Sequence, residues 1–97
     1  MELEDAELAR VHDESDLLEF LFVRYKITHP GQDGRKAFLE MIRRRQGRER
    51  ASNSWVTRLL DGTTYMGTLD WQHIEREWRT DLWTRWVQIK ADLANGK

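Results

Sequence analysis

Three histidines and a run of arginines are the side chains of this sequence that could do the most chemistry. His12, His29 and His73 lie far apart, no H-E-x-x-H pattern occurs, and the chain has no cysteine. A catalytic metal needs converging ligands, such as two histidines one helical turn apart with an acid nearby. The sequence therefore predicts no metal site, no cofactor and no cysteine nucleophile.

Other catalytic arrangements are also missing from the sequence. His12 lies beside Asp13 and Glu14, but adjacent helical residues point in different directions, so we interpret these groups as solvated capping charges. Gly31 and Gly34 lack the following lysine and the preceding strand of a phosphate-binding loop. We therefore expect no enzyme activity and no small-molecule substrate.

The arginine run is the best case for nucleic-acid binding. Five guanidinium groups within eight residues could neutralise phosphates and release counterions, and they belong to Arg43, Arg44, Arg45, Arg48 and Arg50. The competing interpretation is a solvated helix end whose arginines offset the helix dipole and pair with acids. We favour this second interpretation, because the net charge of -1 is not typical of a dedicated DNA-binding protein.

The charges are arranged in blocks. Residues 1–20 contain eight acidic side chains against one arginine, whereas residues 35–58 contain eight basic side chains against two acids. Such blocks either contact different partners or contact each other within the fold.

Length and composition indicate one soluble domain. Ninety-seven residues, 39% of them hydrophobic, suit one small core, to which five tryptophans contribute large buried surfaces. The acidic N-terminus lacks the features of a secretory signal, and no apolar run reaches the ~20 residues of a membrane span. We therefore predict a single helical domain over 1–97, with 1–12 as a mobile acidic arm, in the cytoplasm and without a membrane partner.

The first half of the chain has clear helix signals. A short helix over 3–11 is followed by a capping Asp13 or Ser15 and by acids that favour a helix N-terminus. These signals predict a helix over about 15–27, whose apolar side chains on nearly every side indicate burial against two neighbours. A strand over 20–27 is the alternative, because a short apolar run cannot be assigned by period alone.

The middle of the chain predicts two more helices. One covers 35–46 and ends near Gly47. The other covers 55–60, with a capping Ser52 or Ser54 before it and Asp61-Gly62 closing it. The alternative is a short hairpin near 56–68 that turns at Asp61-Gly62.

The last third predicts one long amphipathic helix that begins at a capping Asp70. Its apolar side chains recur every three or four residues and form one stripe, made of Trp71, Ile74, Trp78, Leu82, Trp86, Ile89 and Leu93. Trp83 and Val87 lie about 120–160° from Trp71 at 100° per residue, as an apolar shoulder beside the stripe. Either another element covers this shoulder, or it anchors a protein partner or a second copy.

The order of elements carries a family resemblance. It combines an apolar helix over 17–25, a Pro/Gly loop, a helix over 38–45 with a basic end, a short helix over 55–60, and Ile74-Glu75-Arg76-Glu77-Trp78. This order resembles the C-terminal helical part of gluzincin-type metallopeptidases. The zinc motif of that family is absent from this sequence. The resemblance therefore implies supporting helices without peptidase activity.

A second resemblance involves the segment from Ser54 to Gly62, which is similar to the recognition helix of phage-repressor-like domains. In that family a turn glycine lies at a fixed distance before a buried branched residue. Gly47 lies too far before Val56 to match that spacing. This departure weakens the interpretation of the segment as a recognition helix.

We predict an all-α fold, a compact bundle of four or five helices with a long Trp-rich C-terminal helix. The predicted function is a non-catalytic protein-interaction module, with a protein partner or a second copy docked through Trp83, Val87, Arg79 and Lys90. The alternative is a nucleic-acid-binding regulator that uses the arginines of 43–50.

Overall fold

The computed structural model describes residues 3–46 and 52–96, and this part of the chain contains six helices and no strand. The helices are α1 (Leu3–Ala9), α2 (Glu14–Thr28), α3 (Gly34–Gln46), α4 (Asn53–Asp61), α5 (Thr68–Trp78) and α6 (Leu82–Ala94). The predicted all-α class is confirmed. The alternatives of a strand over 20–27 and a hairpin near 56–68 are wrong, because α2 covers the first stretch and α4 enters the second.

The chain divides into two units. One unit combines Met1–Asp13 with Met66–Lys97 and contains α1, α5 and α6. The other is Glu14–Tyr65, which contains α2, α3 and α4. We call them the terminal unit and the central unit. The single domain predicted over 1–97 stays a prediction.

The central unit is built around Phe38 of α3, whose side chain is fully buried. The Phe38 ring lies 5.4 Å from the ring of Phe22 in α2 and 5.9 Å from that of Trp55 in α4. Both distances fall in the range that aromatic pairs prefer. One phenylalanine therefore connects all three helices of this unit.

The ends of α4 follow the predicted capping signals. The Ser52 hydroxyl accepts a hydrogen bond from the Trp55 backbone N–H at 3.1 Å, as an N-cap side chain does. Gly62 ends the helix in the left-handed conformation, at a φ of 79°, where glycine avoids the strain that a Cβ brings. The predicted cap and the predicted end at Asp61-Gly62 are thus confirmed. The helix end predicted at Gly47 lies outside the described residues.

The predicted long C-terminal helix is wrong, because the chain leaves the helix between α5 and α6. Arg79 adopts the left-handed conformation, at φ 50° and ψ 51°, and ends α5. The Glu75 carboxylate then accepts hydrogen bonds from the Thr84 backbone N–H at 2.9 Å and from the Thr84 hydroxyl at 2.7 Å. A side chain of α5 thus satisfies an amide in the first turn of α6, which has no partner within its own helix.

The predicted cap at Asp70 is also wrong. Helix α5 begins one turn earlier in the chain, with Gly67 as its N-cap and no side-chain hydrogen bond there. Asp70 lies in the first turn of the helix, where a negative charge still interacts favourably with the helix dipole.

In the terminal unit α1 packs along α6. Leu8 is fully buried, and the Trp86 indole N–H donates to the Val11 carbonyl oxygen at 3.1 Å. Arg85 forms an ion pair with Asp5, with 3.0 Å between Nη1 and Oδ1. The structure thus places the described part of the predicted acidic arm against α6.

Candidate interaction surfaces

The predicted anchor Trp83 packs inside the terminal unit. Its ring is parallel to that of Trp71, with 6.3 Å between centroids and 4° between planes. The Trp83 indole nitrogen is buried and makes no hydrogen bond in the described part of the chain. The side chain is half-buried, so the greater part of its surface already contacts its own chain.

The other three predicted docking residues have different surroundings. Val87 lies one turn after Trp83 and is 42% exposed. The Lys90 ammonium lies 3.4 Å from the Ala9 carbonyl oxygen, at the end of α1. Arg79 is exposed, but it belongs to the turn between α5 and α6. Of the predicted set, Val87 is the one apolar residue that is exposed, whereas Trp83 is half-buried.

The arginine run lies partly within the described residues. Arg43, Arg44 and Arg45 occupy the last turn of α3 and are exposed, whereas Arg48 and Arg50 lie outside the described residues. Arg43 and Arg45 also interact with other groups of the chain. Basic side chains at a helix C-terminus interact favourably with the helix dipole, so part of their role is local.

The central unit is nevertheless basic. It contains ten lysines and arginines against seven acids, a net charge of +3. The chain as a whole has a net charge of -1, so the residues outside the central unit have a net charge of -4. The exposed arginines of α3 thus belong to the positively charged unit.

An exposed apolar stripe runs along α2, and our sequence analysis did not predict it. Leu17, Leu18 and Leu21 are buried, as expected, but Val23 is 55% exposed and Ile27 is 68% exposed. The prediction that nearly all apolar side chains of α2 are buried is therefore wrong for these two. The half-buried Phe20 precedes them at helical spacing, so the stripe has its members at i, i+3 and i+7.

Two opposite charges accompany the stripe. Glu19 and Lys26 are both exposed and lie close to Val23 around the helix. Neither side chain forms an ion pair or a hydrogen bond within residues 3–46 and 52–96. We call Glu19, Phe20, Val23, Lys26 and Ile27 together the α2 face.

A shallow groove of about 550 Å³ borders the α2 face, between α2 and the loop before α3. Gly34 lines this groove and lies close to α2, since an added Cβ would lie 3.0 Å from the Phe22 carbonyl oxygen. In the first turn of α3, the Arg35 guanidinium donates to the Asn53 carbonyl oxygen at 2.8 Å and to the Thr57 hydroxyl at 2.7 Å. These bonds hold the Arg35 side chain against α4.

The structure and the comparisons with known proteins also bear on a metal site, a membrane-spanning helix and the family resemblance. In 3–46 and 52–96, no three histidine, aspartate or glutamate side chains are grouped so that they could hold a metal ion. No helix in these stretches has the length and apolar character needed to cross a membrane. Comparisons with protein-family models, curated proteins and solved structures find no match to the chain. The resemblance to gluzincin-type metallopeptidases therefore stays a prediction.

Proposed function

We propose that the chain is a non-catalytic protein-interaction module that docks through the α2 face. The observation that carries this proposal is the exposure of Val23 and Ile27, one helical turn apart, beside Phe20. Anchors at i, i+3 and i+7 are the pattern by which amphipathic helices bind protein grooves. Full burial of a valine or isoleucine side chain contributes roughly 1.5–3 kcal/mol, and docking would add the share that belongs to the exposed 55% of Val23 and 68% of Ile27.

The α2 face supports docking better than the shoulder on α6 does. Trp83 already stacks on Trp71, so a partner would gain little additional burial from its ring. On α2, two branched side chains keep more than half of their surface exposed, and two charges beside them lack partners in the described part of the chain. A surface with apolar anchors and polar flanks is typical of transient protein interfaces.

Site-specific photo-crosslinking tests this proposal. A photoreactive phenylalanine analogue is placed at Val23 or Ile27 in the full chain, and a control chain carries it at the exposed Gln72 of α5. We expect discrete protein adducts in extracts of the source cells from positions 23 and 27 and none from position 72.

A second change makes the crosslinking test specific for the α2 face. Ile27→Glu places a charge on an apolar anchor, and we expect it to reduce the adduct yield from position 23 by roughly tenfold, the equivalent of 1.4 kcal/mol. Equal yields from positions 23 and 72, or a yield that Ile27→Glu leaves unchanged, would contradict docking through this surface.

Nucleic-acid binding is the second candidate function. The observation that favours it is the exposure of Arg43, Arg44 and Arg45 on a unit of net charge +3. Guanidinium groups on such a surface would contact phosphates and release counterions.

Fluorescence anisotropy of labelled duplex DNA, titrated at several salt concentrations, tests this candidate. If Arg43, Arg44 and Arg45 contact phosphates, their replacement by glutamine should make the log-log salt slope shallower by about 3, roughly one for each lost contact. Arg76→Gln on α5 is the control for loss of an exposed positive charge. Absence of binding at low salt, or the same slope in all variants, would reject this candidate.

A further inference from the structure

The proposed function leaves the partner of the α2 face unspecified, and the charge pattern of this face points to one. Building on that function, we propose that the partner is a second copy of this chain, whose α2 pairs antiparallel with the first. The contact would be isologous, with the same surface used by both copies about a two-fold axis. Glu19 and Lys26 carry the argument, because each is exposed and has no partner within the described residues.

The spacing of these two charges makes the α2 face self-complementary. Glu19 and Lys26 are separated by about 10 Å along the helix axis, at 1.5 Å per residue. An antiparallel copy presents the same spacing in the reverse order. Glu19 of each copy therefore meets Lys26 of the other, and both ion pairs form in a single arrangement.

The apolar side chains fit the same arrangement. The midpoint between Glu19 and Lys26 lies next to Val23, so the two-fold axis brings the two copies of Val23 together. Ile27 of one copy then lies within a helical turn of Phe20 of the other, along the edge of the face opposite to the charges. At the usual helix separation of about 8–10 Å, these side chains can interdigitate.

A parallel pairing about a two-fold axis would not form these ion pairs. The charged edge of each copy would lie against the apolar edge of the other, so Glu19 and Lys26 would lose solvent without gaining an opposite charge. The charges therefore select the antiparallel orientation. Stable complexes bury ~1,200–2,000 Å² of surface, and one 15-residue helix from each chain buries less than that. We therefore expect a reversible dimer that forms at micromolar concentrations or above.

Charge reversal at the two positions tests the pairing. Glu19→Lys gives a chain with two positive charges on this face, and Lys26→Glu gives one with two negative charges. In sedimentation equilibrium of the purified full-length chain up to about 1 mM, each variant alone should dimerise about tenfold more weakly than the original chain, since both cross-pairs become repulsive.

Two further samples should restore the attraction between the charges at positions 19 and 26. An equimolar mixture of the Glu19→Lys and Lys26→Glu chains should form heterodimers at least as tight as the original homodimer, because every cross-pair is again opposite in sign. The double reversal within one chain should return homodimerisation to near its original strength. Glu40→Lys on α3 makes the same charge change at an exposed site outside the face and should have no effect.

The results distinguish homodimerisation through the α2 face from docking of a different protein on the same face. A chain that stays monomeric near 1 mM, or single reversals that dimerise as well as the original chain, would overturn the second-copy proposal. If positions 23 and 27 then crosslink only to proteins other than this chain, the α2 face remains a docking surface for a different protein. Adducts of twice the chain mass of 11.7 kDa support the homodimer.

Discussion

Alanine in place of Phe38 is expected to lower the free energy of unfolding by about 3–5 kcal/mol, the cost of deleting a buried phenylalanine ring. Phe38 is fully buried and contacts aromatic rings of both neighbouring helices, Phe22 and Trp55. Its removal leaves a cavity where three helices meet, and both neighbouring rings lose their contact with it. Domains of this size are stable by only about 5–15 kcal/mol, so the loss is a large fraction of the total.

Thermal unfolding followed by circular dichroism measures this effect. At roughly 4–8 °C per kcal/mol for a small domain, we expect the melting temperature to fall by about 15 °C or more. Tyr65→Ala is the control within the same unit, because Tyr65 is 64% exposed and its truncation should change stability by less than about 0.5 kcal/mol. Similar melting temperatures for both variants would show that Phe38 does not hold the three helices together.

The second large effect is expected at Trp86, which joins α6 to the N-terminal segment. Its side chain is 9% exposed, and its indole N–H donates to the Val11 carbonyl oxygen. Trp86→Ala removes both the ring and the donor, at an expected cost of about 3–5 kcal/mol. Trp86→Phe keeps much of the ring but leaves the Val11 carbonyl without this donor, at a cost of about 1–3 kcal/mol.

Urea denaturation separates these two contributions. We expect the midpoint to fall in the order original chain, Trp86→Phe, Trp86→Ala, with an unchanged slope, since the surface exposed on unfolding stays nearly the same. Val87→Ala on the next position of α6 is the control and should shift the midpoint little, because Val87 is 42% exposed. If Trp86→Phe had the full stability of the original chain, the hydrogen bond to Val11 would contribute nothing.

The sequence was sufficient to predict the helical class, the positions of α2, α3 and α4, and both ends of α4. These features depend on local signals, namely helical periodicity, a serine at the N-cap and a glycine in the left-handed region. Ser52 and Gly62 act at the helix to which they are adjacent, so no distant contact is needed to interpret them.

The break between α5 and α6 was missed because the apolar period continues across it. Trp78 and Leu82 keep the spacing of a single helix, although Thr80 and Asp81 are residue types that favour helix starts. In one straight helix, Trp71 and Trp83 would be about 18 Å apart along the axis. Their rings lie 6.3 Å apart because the chain turns back after Arg79. Angles measured along one continuous helix therefore misplaced the shoulder.

The α2 face was missed for a different reason. A helix that is apolar on nearly every side is interpreted as fully buried, but α3 and α4 pack against only part of α2 and leave Val23 and Ile27 exposed. The length of the apolar run already indicated this exposure. Two neighbouring helices cannot enclose the whole circumference of a third, so some of the apolar side chains had to stay exposed. An excess of apolar residues on such a helix indicates exposed apolar surface.

The bond between Glu75 and Thr84 makes the last two helices depend on each other. The carboxylate that accepts the Thr84 amide can do so only while α5 is helical up to Glu75. Opening of the last turn of α5 therefore also exposes the Thr84 amide, in the first turn of α6, to solvent exchange. We therefore expect the Thr84 amide to be no more protected against hydrogen exchange than the last turn of α5.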